Sequence, residues 1–304
     1  MYDCIIIGAG PAGISAGIYA ARASMKTIII EKGTPGGLIA KTDEIANYPG
    51  VEDVPTGSEL IERMIKQAKS FGAEFITDTV VNVDLSGTTK VVYGENDTYE
   101  GKSVIITTGS NPRLLNVPGE KEFTGKGIAY CATCDGAFTK GRTVSLVGKG
   151  DELIEESLFL TRYAKEVNVF LTSDDLDCSE ELKEAILSKE NVKIVKKVKL
   201  LEIKGEEFVT ELDLEIEGNK ETTSTDFVFL YLGTKNNLEL YGEFVSLSDA
   251  GYIVTDETMK TRTDKMYAIG DIREKDIRQI ATATNDGVIA ASFIMKEILK
   301  AKKK

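Results

Sequence analysis

Two cysteines separated by two residues are the strongest chemical signal in this sequence. Residues 130–138 read YCATCDGAF, which places Cys131 and Cys134 in a C-x-x-C pair followed by Asp135. Dithiol–disulfide redox centres use this spacing. The chain has no histidine, so proton transfer near neutral pH must use a carboxylate, a thiol, a lysine or a tyrosine. Asp135 is therefore the natural proton donor and acceptor for a departing thiolate, with a turn or helix-capping role as the alternative.

A zinc half-site is the rival interpretation of the cysteine pair. Zinc would need two more soft ligands, and the other cysteines, Cys4 and Cys178, are isolated. We therefore expect a redox pair and no metal site.

A glycine-rich turn near the N-terminus has the spacing of a dinucleotide site. In GAGPAG, Gly8 permits the tight turn, Gly10 lets a pyrophosphate approach the backbone, and Gly13 lets the following helix pack closely. The phosphates would lie at the helix N-terminus, and Glu31, after the second strand, can accept from ribose hydroxyls. The pattern predicts a strand over 4–7, a helix over about 14–23 and a strand over 27–30.

The same plan recurs 140 residues later, between 143 and 171. This shift places Gly148 on Gly8 and Gly150 on Gly10, but it also places Leu153 on Gly13 and Leu171 on Glu31. The second copy thus keeps the glycines of the turn and loses both the close-packing glycine and the ribose acceptor.

Later segments complete the expected organisation. Buried-strand patterns at 103–111 and 227–235 repeat each other, whereas the strand near 266–272 and the helix over about 279–299 have no second copy. We predict an α/β fold of two Rossmann-like dinucleotide-binding domains, the second inserted in the first. The first would comprise 1–116 and 245–304, and the second 117–244.

Bulk properties exclude several classes of protein. The hydrophobic fraction of 42% and charged fraction of 28% are those of an ordinary globular enzyme. No apolar run approaches the roughly 18 residues of a membrane span. The net charge of −12 argues against non-specific nucleic-acid binding. No signal peptide is expected before the first strand, so we expect a cytoplasmic protein.

Several short motifs are spread along the chain. They are GAGPAG with YAARA, GG (36–37), NYPG (47–50), TTG (107–109), CATCDG (131–136), AIGD (268–271) and RQIATA (278–283). Together these motifs resemble the low-molecular-weight thioredoxin reductases over essentially the whole chain. The resemblance implies FAD in the first domain, thioredoxin as the substrate, a homodimer, and a second domain that swivels to offer the disulfide alternately to flavin and thioredoxin.

The resemblance also assigns roles to residues. Cys134 would face the flavin, Cys131 would attack the thioredoxin disulfide, and Asp135 would be the acid–base. The flavin end of the cofactor would be held by Asn47, Asp271, Arg278 and Gln279. The other FAD contacts would come from Gly8, Gly10, Pro11, Ala12, Gly13, Glu31, Lys32, Gly37, Leu38, Ile39, Thr107, Thr108, Gly109, Gly270 and Ile280.

The chain departs from this family where ordinary members bind NADPH. Those members have a small residue at the position of Leu153 and a His-Arg-Arg run where this chain has FLTSDD (170–175). A 2′-phosphate needs a close Arg or Lys, yet Arg162 is the only arginine between 143 and 243. Asp174 and Asp175 would repel the phosphate, and Leu153 would crowd the helix start.

These departures favour the ferredoxin-dependent flavin thioredoxin reductases, which lack the NADPH motifs. A flavin can take electrons singly, and the step from about −400 mV for a plant-type ferredoxin to about −270 mV for thioredoxin runs downhill. Segment 117–244 holds 26 acidic and 16 basic residues, so an acidic ferredoxin would be better tolerated by the rest of the chain. Three alternatives stay open: an NADPH- or NADH-dependent enzyme with a divergent site, a flavodoxin-fed enzyme, and a non-catalytic FAD-binding sensor or partner-binding module.

Overall fold

The computed structural model describes residues 1–42, 44–236 and 238–301, so residues 302–304 of the predicted first domain lie outside the described part. The strands are β1 Cys4–Ile7, β2 Thr27–Glu31, β3 Glu74–Thr77, β4 Val80–Asp84, β5 Lys90–Gly94, β6 Thr98–Gly101, β7 Val104–Ile106, β8 Asn111–Pro112, β9 Ile128–Ala129, β10 Thr143–Gly148, β11 Glu166–Leu171, β12 Val192–Val195, β13 Val198–Gly205, β14 Val209–Ile216, β15 Asn219–Ser224, β16 Phe227–Tyr231, β17 Thr234–Lys235 and β18 Met266–Ala268. The helices are α1 Pro11–Arg22, α2 Gly57–Ser70, α3 Ala132–Asp135, α4 Asp151–Leu160, α5 Glu180–Leu187 and α6 Ile280–Ala301, with short 3₁₀ turns at Gly37–Lys41, Gly136–Thr139 and Gly270–Ile272.

The chain divides into two compact units. Unit 1 comprises Met1–Asn111 and Asn236–Lys304, and unit 2 comprises Pro112–Lys235. The domain boundaries predicted from sequence, after 116 and after 244, lie a few residues C-terminal to the boundaries between the two units. The assignment of a function to each unit stays a prediction.

Unit 1 is built on a parallel five-stranded sheet in the order β18-β7-β1-β2-β3. Side chains alternate between the two faces of a strand, so Ile6 and Ile29 pack with the helices while Ile5 and Ile28 pack with the antiparallel sheet β4-β5-β6. Both faces are covered, which explains why these strands are continuous apolar runs. The strand at 266–268 returns from the C-terminal part of the chain to pair with β7.

Unit 2 repeats this plan. Its parallel sheet has the order β12-β11-β10-β16-β9, and β10 lies between β11 and β16 as β1 lies between β2 and β7. Helices α4 and α5 cover one face, and the antiparallel sheet β13-β14-β15 covers the other. The two doubly covered parallel sheets confirm the predicted fold class, whereas the sequence analysis gave no element for either antiparallel sheet.

Element boundaries differ slightly from those predicted. Helix α1 begins at Pro11 rather than near 14, because Pro11 needs no N–H partner in the first turn and Gly10 is the N-cap. Among the described residues, no helix is long and apolar enough to cross a membrane.

Candidate active site

The first glycine turn in unit 1 has no room for side chains at two of its three glycines. Gly8 has a φ of +109°, and a Cβ there would lie 2.4 Å from the Thr107 carbonyl oxygen. A Cβ on Gly13 would lie 2.2 Å from the Gly8 carbonyl oxygen. Both glycines are therefore required by the close packing of α1 against the ends of β1 and β7.

Gly10 differs because the space beside it is open. No heavy atom outside its chain neighbours lies within 4 Å of a Cβ built on Gly10, and no side chain caps α1 there. The backbone at Gly36–Gly37 borders this opening, since the Gly36 N–H donates to the Ala9 carbonyl at 2.8 Å. An uncapped helix start beside open space suits the approach of a phosphate group.

Glu31 braces the turn. Its Oε2 accepts from the Ala9 N–H at 2.8 Å, and its Oε1 accepts from the Gly33 N–H at 3.3 Å. The carboxylate retains further lone pairs for ribose hydroxyls. Its neighbour Lys32 is exposed, as is Leu38, whereas Ile39 is buried in the helix-side core.

Several predicted FAD residues carry buried polar atoms with no partner inside the described chain. These atoms are Thr108 Oγ1, Asp271 Oδ1 and Arg278 Nε. Burial raises the pKa of the Asp271 carboxyl, although Lys275 and Arg278 act against the shift. Leaving such atoms unpaired costs about 1–3 kcal/mol each, so unit 1 fits a group rich in hydrogen-bonding atoms, as FAD is.

The remaining predicted contacts lie in the same unit. Asn47 Nδ2 donates to Gln279 Oε1 at 3.2 Å, at the start of α6 where Ile280 also lies. Ala12 and Gly270 are close, since a Cβ on Gly270 would lie 2.9 Å from the Ala12 Cβ. Gly109 follows β7 with a φ of +69°.

Asp286 is a supporting residue that the sequence analysis missed. It is 4% exposed on α6, and its Oδ2 accepts from the Gly270 N–H at 3.0 Å and from Lys275 Nζ at 2.9 Å. Arg273 lies 3.7 Å from its other oxygen. The signal available in the sequence was a single acid in the otherwise uncharged first half of α6. Asp286 holds the turn that carries Asp271.

The predicted cysteine pair forms a disulfide in unit 2. The Cα atoms of Cys131 and Cys134 are 5.4 Å apart across the bond. Cys131 is the N-cap of α3 and is half-buried, whereas Cys134 is exposed. Asp135 ends the same helix, and burial raises the pKa of its carboxyl to about 6, which suits proton transfer near neutral pH.

The side chains of Tyr231 and Glu156, also missed from sequence, contact α3, which we call the disulfide helix. The Ala132 N–H donates to the Tyr231 hydroxyl at 2.9 Å, and the Thr133 N–H donates to Glu156 Oε2 at 3.1 Å. The Tyr231 hydroxyl in turn donates to Glu156 at 3.2 Å.

The second glycine turn does not reproduce the first, although the sequence keeps two of its glycines. In unit 1 Gly8 has the positive φ and Gly10, at −78°, does not; in unit 2 Gly150, at +87°, has it. Leu153 is fully buried in the apolar core of unit 2, and its predicted crowding of the helix start stays a prediction. Leu171 is also buried, so the position equivalent to Glu31 carries no polar acceptor.

The surroundings of the 170–175 segment also correct the sequence analysis. Arginine is absent there, but Lys196 lies beside the segment, with its Nζ 2.6 Å from Asp175 Oδ1. The fold thus places a cation at the strand end where the sequence suggested only negative charge. Among the described residues, no group of three or more His, Cys, Asp or Glu side chains could hold a metal.

Comparisons with known proteins agree with this geometry. The family model described as pyridine nucleotide-disulphide oxidoreductase matches residues 2–287. The chain is 43% identical to the thioredoxin reductase of Peptoclostridium acidaminophilum, over 98% of this chain and 97% of that protein. It is 40% identical to the thioredoxin reductase of Bacillus subtilis (strain 168), over 97% and 94%. The crystal structure of thioredoxin reductase from Streptococcus pyogenes MGAS5005 matches with a TM-score of 0.94 at 37% identity, covering 99% of each chain.

Proposed function

This chain belongs to the thioredoxin reductase family of FAD-binding disulfide reductases, and from that premise we propose that its Cys131–Cys134 dithiol reduces the disulfide of a thioredoxin. The observation that carries the proposal is the disulfide in unit 2 with a carboxyl of raised pKa at the end of the same short helix.

Unit 1 supplies the groups that would hold FAD. The open backbone at Gly10 and the uncapped start of α1 suit the pyrophosphate, and Glu31 suits a ribose. The unpaired atoms of Asp271 and Arg278 suit the polar edge of the flavin. When bound, FAD supplies a carrier that takes electrons from a donor and returns the disulfide to the dithiol.

The exchange with thioredoxin balances within the four sulfurs. A thiolate of the enzyme pair attacks the thioredoxin disulfide, forms a mixed disulfide and displaces one thioredoxin thiolate. The second enzyme cysteine then attacks the mixed disulfide, which closes Cys131–Cys134 and releases reduced thioredoxin. Two electrons pass to thioredoxin, and the protons leaving the enzyme thiols are returned to the departing thiolates. Asp135, next to Cys134 in sequence and with a pKa raised to about 6, is the acid–base group we assign in a chain without histidine.

For the electron donor, the family comparisons favour a pyridine nucleotide. The matching family is named for that donor. Lys196, beside the end of β11, is a cation that could meet a 2′-phosphate if Asp175 released it. We therefore put NADPH first and NADH second among the nicotinamide donors.

Reduced ferredoxin is the alternative to a nicotinamide donor, because the glycine turn of unit 2 lacks the features that suit dinucleotide binding in unit 1. Leu171 replaces the bracing acid, and the glycines adopt a different backbone conformation. Flavodoxin has the same one-electron chemistry and is tested alongside it. A sensor without turnover would not need the intact C-x-x-C-D sequence.

The deciding experiment is anaerobic reduction of the FAD-loaded protein by NADPH, NADH, reduced ferredoxin and reduced flavodoxin in turn, followed by absorbance near the flavin band. Bleaching by either nucleotide supports the family donor, and bleaching by ferredoxin alone supports the ferredoxin alternative. Thioredoxin thiols are then counted after each reduction. Reduced flavin that yields no thioredoxin thiols, even with dithionite as the reductant, would refute the proposed activity.

A further inference from the structure

The start of the disulfide helix is held by a closed set of hydrogen bonds from two other elements. The first two N–H groups of α3, those of Ala132 and Thr133, are taken by Tyr231 of β16 and Glu156 of α4. The Tyr231 hydroxyl links these partners by donating to the same Glu156 oxygen. Tyr231 is only 6% exposed, so the set is built into the fold of unit 2.

The placement matters for the chemistry of Cys131. N–H groups at a helix start ordinarily favour a cysteine thiolate at the N-cap, and Cys131 is the N-cap here. In this protein the Tyr231 hydroxyl and the Glu156 carboxyl occupy those donors. Burial raises the pKa of Glu156, while Tyr231 and the backbone donors act to lower it. Glu152 acts on Glu156 with like charge. Glu155, Arg162 and Lys189 line a groove together with Glu156, and Asp135 lies on α3.

The internal repeat shows that Tyr231 is a specialised replacement. A Cβ on Gly8 would meet the Thr107 carbonyl oxygen at 2.4 Å, and a Cβ on Gly148 would meet the Tyr231 carbonyl oxygen at 2.1 Å. Tyr231 thus stands in unit 2 where unit 1 has Thr107, a predicted FAD contact. Its larger side chain reaches α3, where its hydroxyl accepts from the Ala132 N–H.

We propose that Glu156 and Tyr231 are positioning residues that fix the disulfide helix and, through the Glu156 charge, keep the Cys131–Cys134 dithiol a strong reductant. Negative charge at the N–H groups disfavours the thiolate of the reduced pair. A less stabilised reduced pair gives up its two electrons more readily. This inference rests on the proposed function, because it concerns the same dithiol.

The test measures the dithiol–disulfide equilibrium directly, without turnover. FAD-loaded wild type, Glu156→Gln, Glu156→Asp and Tyr231→Phe are equilibrated with dithiothreitol buffers of stepped ratio at pH 8, and the peptide holding both cysteines is alkylated and quantified by mass spectrometry. Glu155→Gln, an exposed neighbour on the same helix, is the matched control. Thermal melting confirms that each variant is folded.

Glu156→Gln should favour the dithiol about tenfold, which is about 30 mV for a two-electron couple. Tyr231→Phe should shift it in the same direction, whereas Glu156→Asp, which keeps the charge, should shift it less than the Gln variant. Glu155→Gln should match wild type. A folded Glu156→Gln variant within twofold of wild type, or one shifted toward the disulfide, overturns the inference. Failure of wild type to reduce thioredoxin would instead refute the proposed function, and the thiol measurement distinguishes the two.

Discussion

Asp135 shows how a single side chain can be tuned by its position. Burial raises the pKa of its carboxyl from 3.8 to about 6, and the chain has no histidine to titrate in the same range. The neutral carboxyl is favoured in the folded state. Its contribution to stability is therefore full below about pH 4 and is lost as the pH rises through about 6.

We expect Asp135→Asn to raise the free energy of unfolding at pH 8 by about 1–2 kcal/mol, a value discounted for partial exposure. The gain should shrink as the pH falls below about 6 and be absent near pH 4. Urea unfolding of the oxidised protein at the two pH values measures it, with the exposed Asp174→Asn as control. An equal effect at both pH values would show that folding does not raise the pKa of the Asp135 carboxyl.

The same substitution should slow the dithiol step. Loss of a positioned acid–base group typically costs about 10²–10⁴-fold in rate. Rapid-mixing measurement of thioredoxin thiol formation by pre-reduced enzyme reports this step, and FAD content should be unchanged. An unchanged rate would move the proton-transfer role to another group.

At the scale of elements, the two glycine turns share a sequence pattern but not a structure. The unit 1 turn is tight at Gly8 and Gly13 and open at Gly10, so its glycines have different tolerances. Gly10→Val should leave the protein folded but without FAD. Gly13→Val should impair both folding and FAD binding, because its side chain would meet the Gly8 backbone.

Flavin absorbance and circular dichroism of the purified variants distinguish these two outcomes. Gly33→Ala is the control, since nothing lies within 4 Å of a Cβ there and its φ is not positive. Full FAD content in Gly10→Val would disprove the pyrophosphate assignment.

Leu153 illustrates the opposite case at the second turn. Because Leu153 is fully buried among apolar side chains of unit 2, Leu153→Ala should leave a cavity and cost about 2–5 kcal/mol. It should not by itself create a nucleotide site. Chemical unfolding checks the stability, with Leu187→Ala, at a position 62% exposed, as control. A Leu153→Ala variant with wild-type stability that gained NADPH binding would show that the Leu153 side chain blocks the nucleotide.

At the scale of the whole molecule, charge is unevenly divided. The segment 117–244 has a net charge of −10, and the other residues carry −2 of the total of −12. An acidic protein donor would meet repulsion that extends about 30 Å at 10 mM salt and about 8 Å at 150 mM. The homodimer that the resemblance implies would double this charge.

Any reduction of the protein by an acidic ferredoxin should therefore become faster as salt rises over about 10–150 mM. Stopped-flow rates of flavin bleaching at constant donor concentration measure the trend. A rate that falls with salt would instead reveal a local basic surface that guides the donor.

The sequence alone determined those features that depend on neighbouring residues. Each copy of the strand–glycine turn–helix pattern is local, as is the cysteine pair with Asp135, because backbone preferences and short spacings specify them. The repeat after 140 residues is visible because both copies are local patterns. They were sufficient for the fold class, the FAD-binding family and the disulfide.

Tertiary structure decided the contacts between residues far apart in the chain. Ala132 and Tyr231 are 99 positions apart, and Asp175 meets Lys196 from 21 positions away. No local pattern specifies such pairs, because they depend on where β12 and β16 lie in the parallel sheet of unit 2 and on the elements that follow or precede them. For the same reason, the repeated G-x-G sequence could not reveal that its two turns have different backbone conformations, since packing around each turn selects the conformation of its glycines.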